Sequence, residues 1–316
     1  MGSFFYKQKT AYEIEYEESG TGDPLLLVMG LNGQLVDWPA GFVDELVERG
    51  FRVIRFDNRD AGLSTEMTGV PPSRFELVKD VVTHHGPPDQ YLVADMAGDA
   101  IGLLDALGIE RAHVVGMSMG GMIAQQIAID APERVLSLTS IMSTTGSQRV
   151  GKPKARLVWK YLRREPVGPE QAVENAVELF RAISGPTFDD AEFRVLAKES
   201  VARSYRPEGT ARQLGAILSS PDRTAGLREL RVPTLVIHGM RDPLVRRSGG
   251  IATAEAVPGA RLLMFSCPPI SWARSRIPRM PKRSPAASSA ASSAPSPIPC
   301  PSSSITSVMW LSACVR

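Results

Sequence analysis

Apolar residues follow two rhythms along this chain. Short, largely apolar runs alternate with segments where apolar positions recur every three or four residues. The first rhythm marks strands buried on both faces, and the second marks helices with one apolar stripe. Strands are expected over 15–17, 25–29, 52–56, 112–115, 135–141, 234–238 and 261–265, most of them near-continuous apolar runs. Between them, Phe42, Val43, Leu46 and Val47 form a helical face that stops at Gly50. Ala97, Ala100, Ile101, Leu104 and Leu107 form another that stops at Gly108. This alternation predicts the α/β class, with a mostly parallel sheet covered by helices on both faces.

The rhythm breaks between 143 and 230. Helical periodicity persists there, as in Val173, Ala176, Val177, Phe180 and Ile183, but no strand-like run occurs. Pro166, Pro169, Pro186 and Pro207 punctuate separate helices. The pattern therefore predicts a core over 15–142 and 231–265, interrupted by a helical cap over 143–230 that lies across the strand ends and shapes a pocket. Trp159, Tyr161, Phe180, Phe188 and Phe193 are available to line it, although aromatics at helical spacing more often pack on one another.

The two ends change this picture. KQKTAYEI, from Lys7 to Ile14, resembles the translation of a sequencing-library adapter, so residues 1–14 read as an artefact. From Ala256 onward there is no Asp or Glu, although 34 occur before it. Between Cys267 and Arg316 stand thirteen serines and nine prolines, a composition that builds no packed core, so 266–316 reads as a disordered tail. All three cysteines, Cys267, Cys300 and Cys314, lie in that tail without the spacing of a disulfide framework or a metal site. The formal charge of +2 also belongs to the ends, because residues 15–255 hold 33 acidic groups against 27 basic ones. No nucleic-acid footprint follows from that balance. At 316 residues and 43% hydrophobic content the chain can bury a full core. No apolar stretch nears the roughly 18–20 residues that span a bilayer, and no secretory signal opens the chain. The expectation is a soluble, cytoplasmic protein with no membrane partner. Nothing in the pattern sets an oligomeric state.

One short motif carries chemistry. Gly116-Met117-Ser118-Met119-Gly120 follows the apolar run ending at Val115 and precedes the helix-like Gly121-Met122-Ile123-Ala124-Gln125-Gln126. A strand, a GxSxG turn and a helix together lift the central serine out for attack. The helix directs its positive end and free amides at the same spot, so the Met119 amide is placed to receive a developing oxyanion. An activated serine also needs a base and an orienting carboxylate. Asp242 fits the carboxylate. It stands in the turn after the run Thr234 to His238, 124 residues beyond Ser118, in the chain order serine then acid. The bland reading of Asp242 is a turn residue ahead of Pro243.

Met29-Gly30-Leu31, the run Asp57-Asn58-Arg59-Asp60-Ala61-Gly62-Leu63-Ser64, the GMSMG turn and the VIHGMRDP segment together resemble the α/β-hydrolase fold family. Within it they resemble the serine esterase group typified by aclacinomycin methylesterase, over roughly residues 15–265. The resemblance implies that Leu31 offers the second oxyanion amide, that Asp57 and Arg59 shape a turn rather than react, and that neither cofactor nor metal is needed. Position 29 departs from the commoner family pattern, which has histidine there.

The resemblance also implies a catalytic histidine some 25–30 residues after the acid, and none follows His238. His113 and His238 fall in predicted strands, and His84 and His85 in a loop, so core or loop roles fit all four better than catalysis. A frameshift near Phe265 accounts for the gap. A third-position C in the codon of Pro269, read with the first two bases of Ile270, makes a histidine codon 27 residues after Asp242. The expected activity is hydrolysis of a small-molecule carboxylic ester by a Ser-His-Asp mechanism whose histidine this chain has lost. A non-catalytic ligand-binding protein, a carbon–carbon hydrolase and a perhydrolase of the same fold stay open beside it.

Overall fold

The computed structural model describes residues 4–7, 13–73, 75–77, 91–157, 168–184 and 188–266. Its strands are β1 (Phe4–Lys7), β2 (Glu13–Ser19), β3 (Asp23–Val28), β4 (Phe51–Phe56), β5 (Ala112–Met117), β6 (Val135–Ile141), β7 (Thr234–Gly239) and β8 (Arg261–Phe265). They form one sheet in the order β1-β2-β4-β3-β5-β6-β7-β8. The pairs β1–β2 and β2–β4 are antiparallel, and every pairing from β4 through β3 to β8 is parallel. All seven strands expected from the apolar runs are present. The added strand, β1, lies within residues 1–14, ahead of all but the first residue of the adapter-like run, and pairs Phe4 with Tyr16.

Successive residues of β3 bury on opposite faces, which is the pleat at work. Leu26 and Val28 join Val114, Ile54 and the apolar stripe of α2 (Val93–Ala106) and α3 (Met119–Asp130). Leu25 and Leu27 join Val53, Val115, Ile237 and Val43 and Leu46 of α1 (Ala40–Glu48). The sheet therefore carries a core on each face, and the layered α/β class expected from the pattern is the observed one.

Between β6 and β7 the chain forms α4 (Pro169–Ile183), α5 (Asp190–Arg203), α6 (Pro207–Ser219) and α7 (Thr224–Glu229), and α8 (Ser248–Ala256) follows β7. Pro169 and Pro207 each open a helix, where the missing amide costs nothing. Asp189 caps α5 by accepting from the amides of Ala191 and Glu192. Pro166 and Pro186 lie outside the described residues. Helices α4 and α5 share a small core of their own, built from Val173, Val177, Phe193 and Ala197. Phe180 and Phe188 pack on Phe193 there, with ring centroids 4.4 and 5.3 Å apart, so these aromatics form interior packing. Trp159 and Tyr161 fall outside the described residues.

Candidate active site

Strand β5 ends at Met117 and α3 begins at Met119, so Ser118 alone makes the turn from strand to helix. Its backbone sits at φ 57°, ψ −117°, a region a non-glycine residue occupies only when its surroundings hold it there. The Ser118 amide donates to the Ile141 carbonyl at 2.8 Å. The Ser118 carbonyl accepts from Ser143 Oγ at 2.8 Å and from the Gly121 amide at 3.0 Å. Glycines permit the closeness. A Cβ on Gly116 would meet the Gly120 carbonyl oxygen at 2.0 Å. The half-buried Ser118 thus stands at the N-terminus of α3, where the first-turn amides lack helical partners and the helix dipole is positive.

The chain leaving β3 passes against this serine. A Cβ on Gly30 would stand 3.3 Å from Ser118 Cβ and 3.8 Å from its Oγ. Leu31 follows, partly buried. The turn is closed by the Gly33 amide donating to the Gly30 carbonyl at 3.0 Å, and Asn58 Nδ2 donates to the Met29 carbonyl at 3.0 Å. Asn32 takes a left-handed φ of 60°.

Asp242 lies in the loop after β7, two strands from β5. Met117 pairs with Ile141 and Ile141 with Ile237, so the loops bearing Ser118 and Asp242 leave the same end of the sheet. The Asp242 side chain is nearly buried, and its Oδ1 accepts from the amides of Leu244 at 2.8 Å and Val245 at 3.0 Å. Its Oδ2 has His238 Nε2 at 3.9 Å, beyond hydrogen-bond reach. Burial pushes this carboxyl up to about 6, against the pull of the two amides.

The histidines are occupied elsewhere. His238 Nε2 meets the Val245 carbonyl at 2.7 Å in the interior, and burial holds its pKa below the usual value. His113 Nδ1 contacts Ser137 Oγ at 2.8 Å, and its ring meets Phe51 edge-on. His84 and His85 lie outside the described residues.

The family model described as the alpha/beta hydrolase fold matches residues 23–268. The chain belongs to the α/β-hydrolase fold family. Among the curated relatives of this α/β-hydrolase is rhodomycin D methylesterase DauP of Streptomyces sp. (strain C5), 32% identical over 80% of this chain and 88% of that protein. Rhodomycin D methylesterase DnrP of Streptomyces peucetius is 31% identical over 79% of this chain and 87% of its own length. A thermophilic esterase from Thermogutta terrifontis shares the fold, with a TM-score of 0.60 at 24% identity over 84% of this chain and 90% of the other.

This α/β-hydrolase also carries a polar network that local sequence pattern missed. Asp57 is fully buried, accepting from the Leu35 amide at 2.7 Å, the Leu63 amide at 2.8 Å and Arg203 of α5 at 2.7 Å. Asp60 is equally buried and accepts from Arg212 of α6 at 2.8 Å. Gln34 Nε2 donates to the carbonyls of Ser200 and Ser204 at 2.7 and 3.0 Å. Arg59 pairs with Asp99 at 2.6 Å and lies over the Tyr91 ring. The run from Asp57 to Ser64 is thus the anchor to which α5 and α6 are tied. Among the described residues no cluster of three His, Cys, Asp or Glu side chains could hold a metal ion, and no helix is long and apolar enough to cross a membrane.

Proposed function

We propose that this α/β-hydrolase is a serine carboxylic ester hydrolase for esters of small apolar molecules, with Ser118 as nucleophile. The observation that carries the reading is the strained Ser118 turn at the N-terminus of α3. Ser118 Oγ adds to the ester carbonyl carbon while its proton passes to a base, and the carbonyl electron pair moves onto oxygen. The amides of Leu31 and Met119 receive that oxyanion. Its collapse expels the alkoxide, which takes the proton and leaves an acyl-serine; water then repeats the addition and releases the acid. Asp242 orients the base through Oδ2, the oxygen its own loop leaves unbonded.

The base is a histidine that the chain lacks after His238 and that a frame shifted near Phe265 encodes when the codon of Pro269 ends in C. Without it, oxyanion binding leaves a residual acceleration of roughly 10³–10⁴ over water in comparable triads. Ester chemistry is favoured by the two relatives named as methylesterases. The reaction requires neither cofactor nor metal.

The deciding experiment compares hydrolysis of a short-chain p-nitrophenyl ester by this chain and by a chain whose residues after Phe265 are translated in the shifted frame, each with Ser118→Ala. Activity that appears in the repaired chain and vanishes with Ser118→Ala supports both the nucleophile and the lost base. A folded, repaired chain that binds the ester without turnover moves the reading to a ligand-binding protein.

A further inference from the structure

We infer that Gln213 of α6 is a positioning residue for the oxyanion-binding turn after β3. The inference rests on the esterase reading, in which the Leu31 amide receives the developing charge. Gln213 is fully buried, and both ends of its side-chain amide are bonded. Oε1 accepts from the Asn32 amide at 2.8 Å, and Nε2 donates to the Arg59 carbonyl at 2.8 Å. One side chain from the insertion therefore joins the loops that follow β3 and β4.

The bonded amide is the one immediately beyond Leu31. Asn32 holds a left-handed φ of 60°, a conformation open to asparagine but not its resting one. Thr210, one turn earlier on α6, stands with Oγ1 2.7 Å from Asn32 Oδ1. Helix α6 thus grips both the backbone and the side chain of Asn32. On the other side of Leu31, Gly30 is closed by the Gly33 amide and packed against Ser118. The Gly30–Leu31 peptide is pinned between these two anchors. A leucine at 213 fits a buried position by size, so the amide there supplies orientation rather than volume. Oxyanion donors act through placement, and a displacement near 1 Å costs about a hundredfold in rate.

The test uses the full chain with Gln213→Leu, and Arg194→Ala as a variant that loosens the insertion elsewhere by breaking the Arg194–Glu174 pair. Two readouts are taken: kcat and KM for p-nitrophenyl acetate, and affinity for phenylboronic acid. The boronic acid needs no base: Ser118 Oγ adds to boron, the hydroxyl proton leaves to buffer, and a boron-bound oxygen stands where the oxyanion forms. Gln213→Leu should lower kcat and boronic acid affinity about ten- to a hundredfold, with KM within about twofold and a cooperative melt retained. Arg194→Ala should leave kcat and that affinity unchanged. Equal kcat and equal boronic acid affinity in Gln213→Leu and the parent overturn the inference, as does a loss confined to KM and melting temperature. Where the parent's turnover is too slow to measure, boronic acid affinity alone decides in the same way. If Ser118→Ala hydrolyses and binds the boronic acid as the parent does, the esterase reading itself fails, whatever Gln213 does.

Discussion

A Cβ on Gly120 would stand 2.0 Å from the carbonyl oxygen of Val28, so the first turn of α3 and the last residue of β3 meet backbone to backbone. Gly120→Ala must push the helix off the strand, because a carbonyl in a ladder cannot swing aside as a side-chain tip can. The expected cost is about 3 kcal/mol, at the upper end for overpacking. Urea unfolding checks it. The displaced helix carries Ser118 with it, so hydrolysis per folded molecule should fall as well.

Arg212 and Asp60 form a buried ion pair between α6 and the loop after β4, with side chains 3% and 0% exposed. Arg212→Met strands the Asp60 charge and should cost about 3–5 kcal/mol. Adding Asp60→Asn to that background should recover part of the loss. Asparagine removes the unpaired charge and tolerates the φ of 67° at this position. A double variant no more stable than Arg212→Met in urea would locate the cost in packing rather than charge.

Asp242 gives a pH dependence with a definite sign. Its carboxyl is raised to about 6 by burial, above the value of 3.8 ordinary for aspartate. The folded state therefore holds this proton more tightly than the unfolded state, and stability falls as pH rises from about 4 through 6. Asp242→Asn keeps an oxygen for the amides of Leu244 and Val245 and removes the charge. It should raise stability at pH 7 by about 3 kcal/mol, and the gap should close below pH 4. Thermal melts of both proteins across pH 4–8 test this; a gap independent of pH would rule out the carboxyl as its source.

On the proposed Ser118–Asp242 esterase reading, imidazole in solution should act as the base and raise turnover. Strands lie about 4.8 Å apart, so two strand steps separate β5 from β7 by a distance that an imidazole with a hydrogen bond at each nitrogen bridges, given the reach of the Ser118 and Asp242 side chains. The p-nitrophenyl ester rate should rise saturably with imidazole, stay flat above background in Ser118→Ala, and rise less in Asp242→Asn. The same linear rise in all three proteins would reveal solution catalysis alone.

The central strands were legible because burial on both faces writes them as largely apolar runs, and the readings 135–141 and 261–265 agree with β6 and the edge strand β8 to the residue. Helix α8 was not legible. Its sequence SGGIATAEA carries small residues and no apolar stripe, so only its place between β7 and β8 makes it a helix. The placement of Ser118 and Asp242 in turns after β5 and β7 was readable because each follows a strand in a recognisable motif. The grip of Gln213 on Asn32 and of Arg212 on Asp60 was not, since these partners lie 181 and 152 residues apart and leave no local period. A signal existed in the adjacent polar pair Arg212 and Gln213, set among the small residues Gly209, Ala211, Gly215 and Ala216 of the helix and facing a loop already rich in aspartate.

The insertion is held in two different ways. The contact between α4 and α5 rests on a private cluster of Val173, Val177, Phe193 and Ala197, whereas α6 and the C-terminal end of α5 are tethered to the loops after β3 and β4 by polar bonds. Inherited change can therefore accumulate unevenly. Descendants of this chain can repack the α4–α5 cluster residue by residue, while a replacement at Arg203, Arg212 or Gln213 leaves bonding partners exposed in the loops after β3 and β4. Sequence is free to drift at one end of the insertion, and the other end is held to the loops of the sheet.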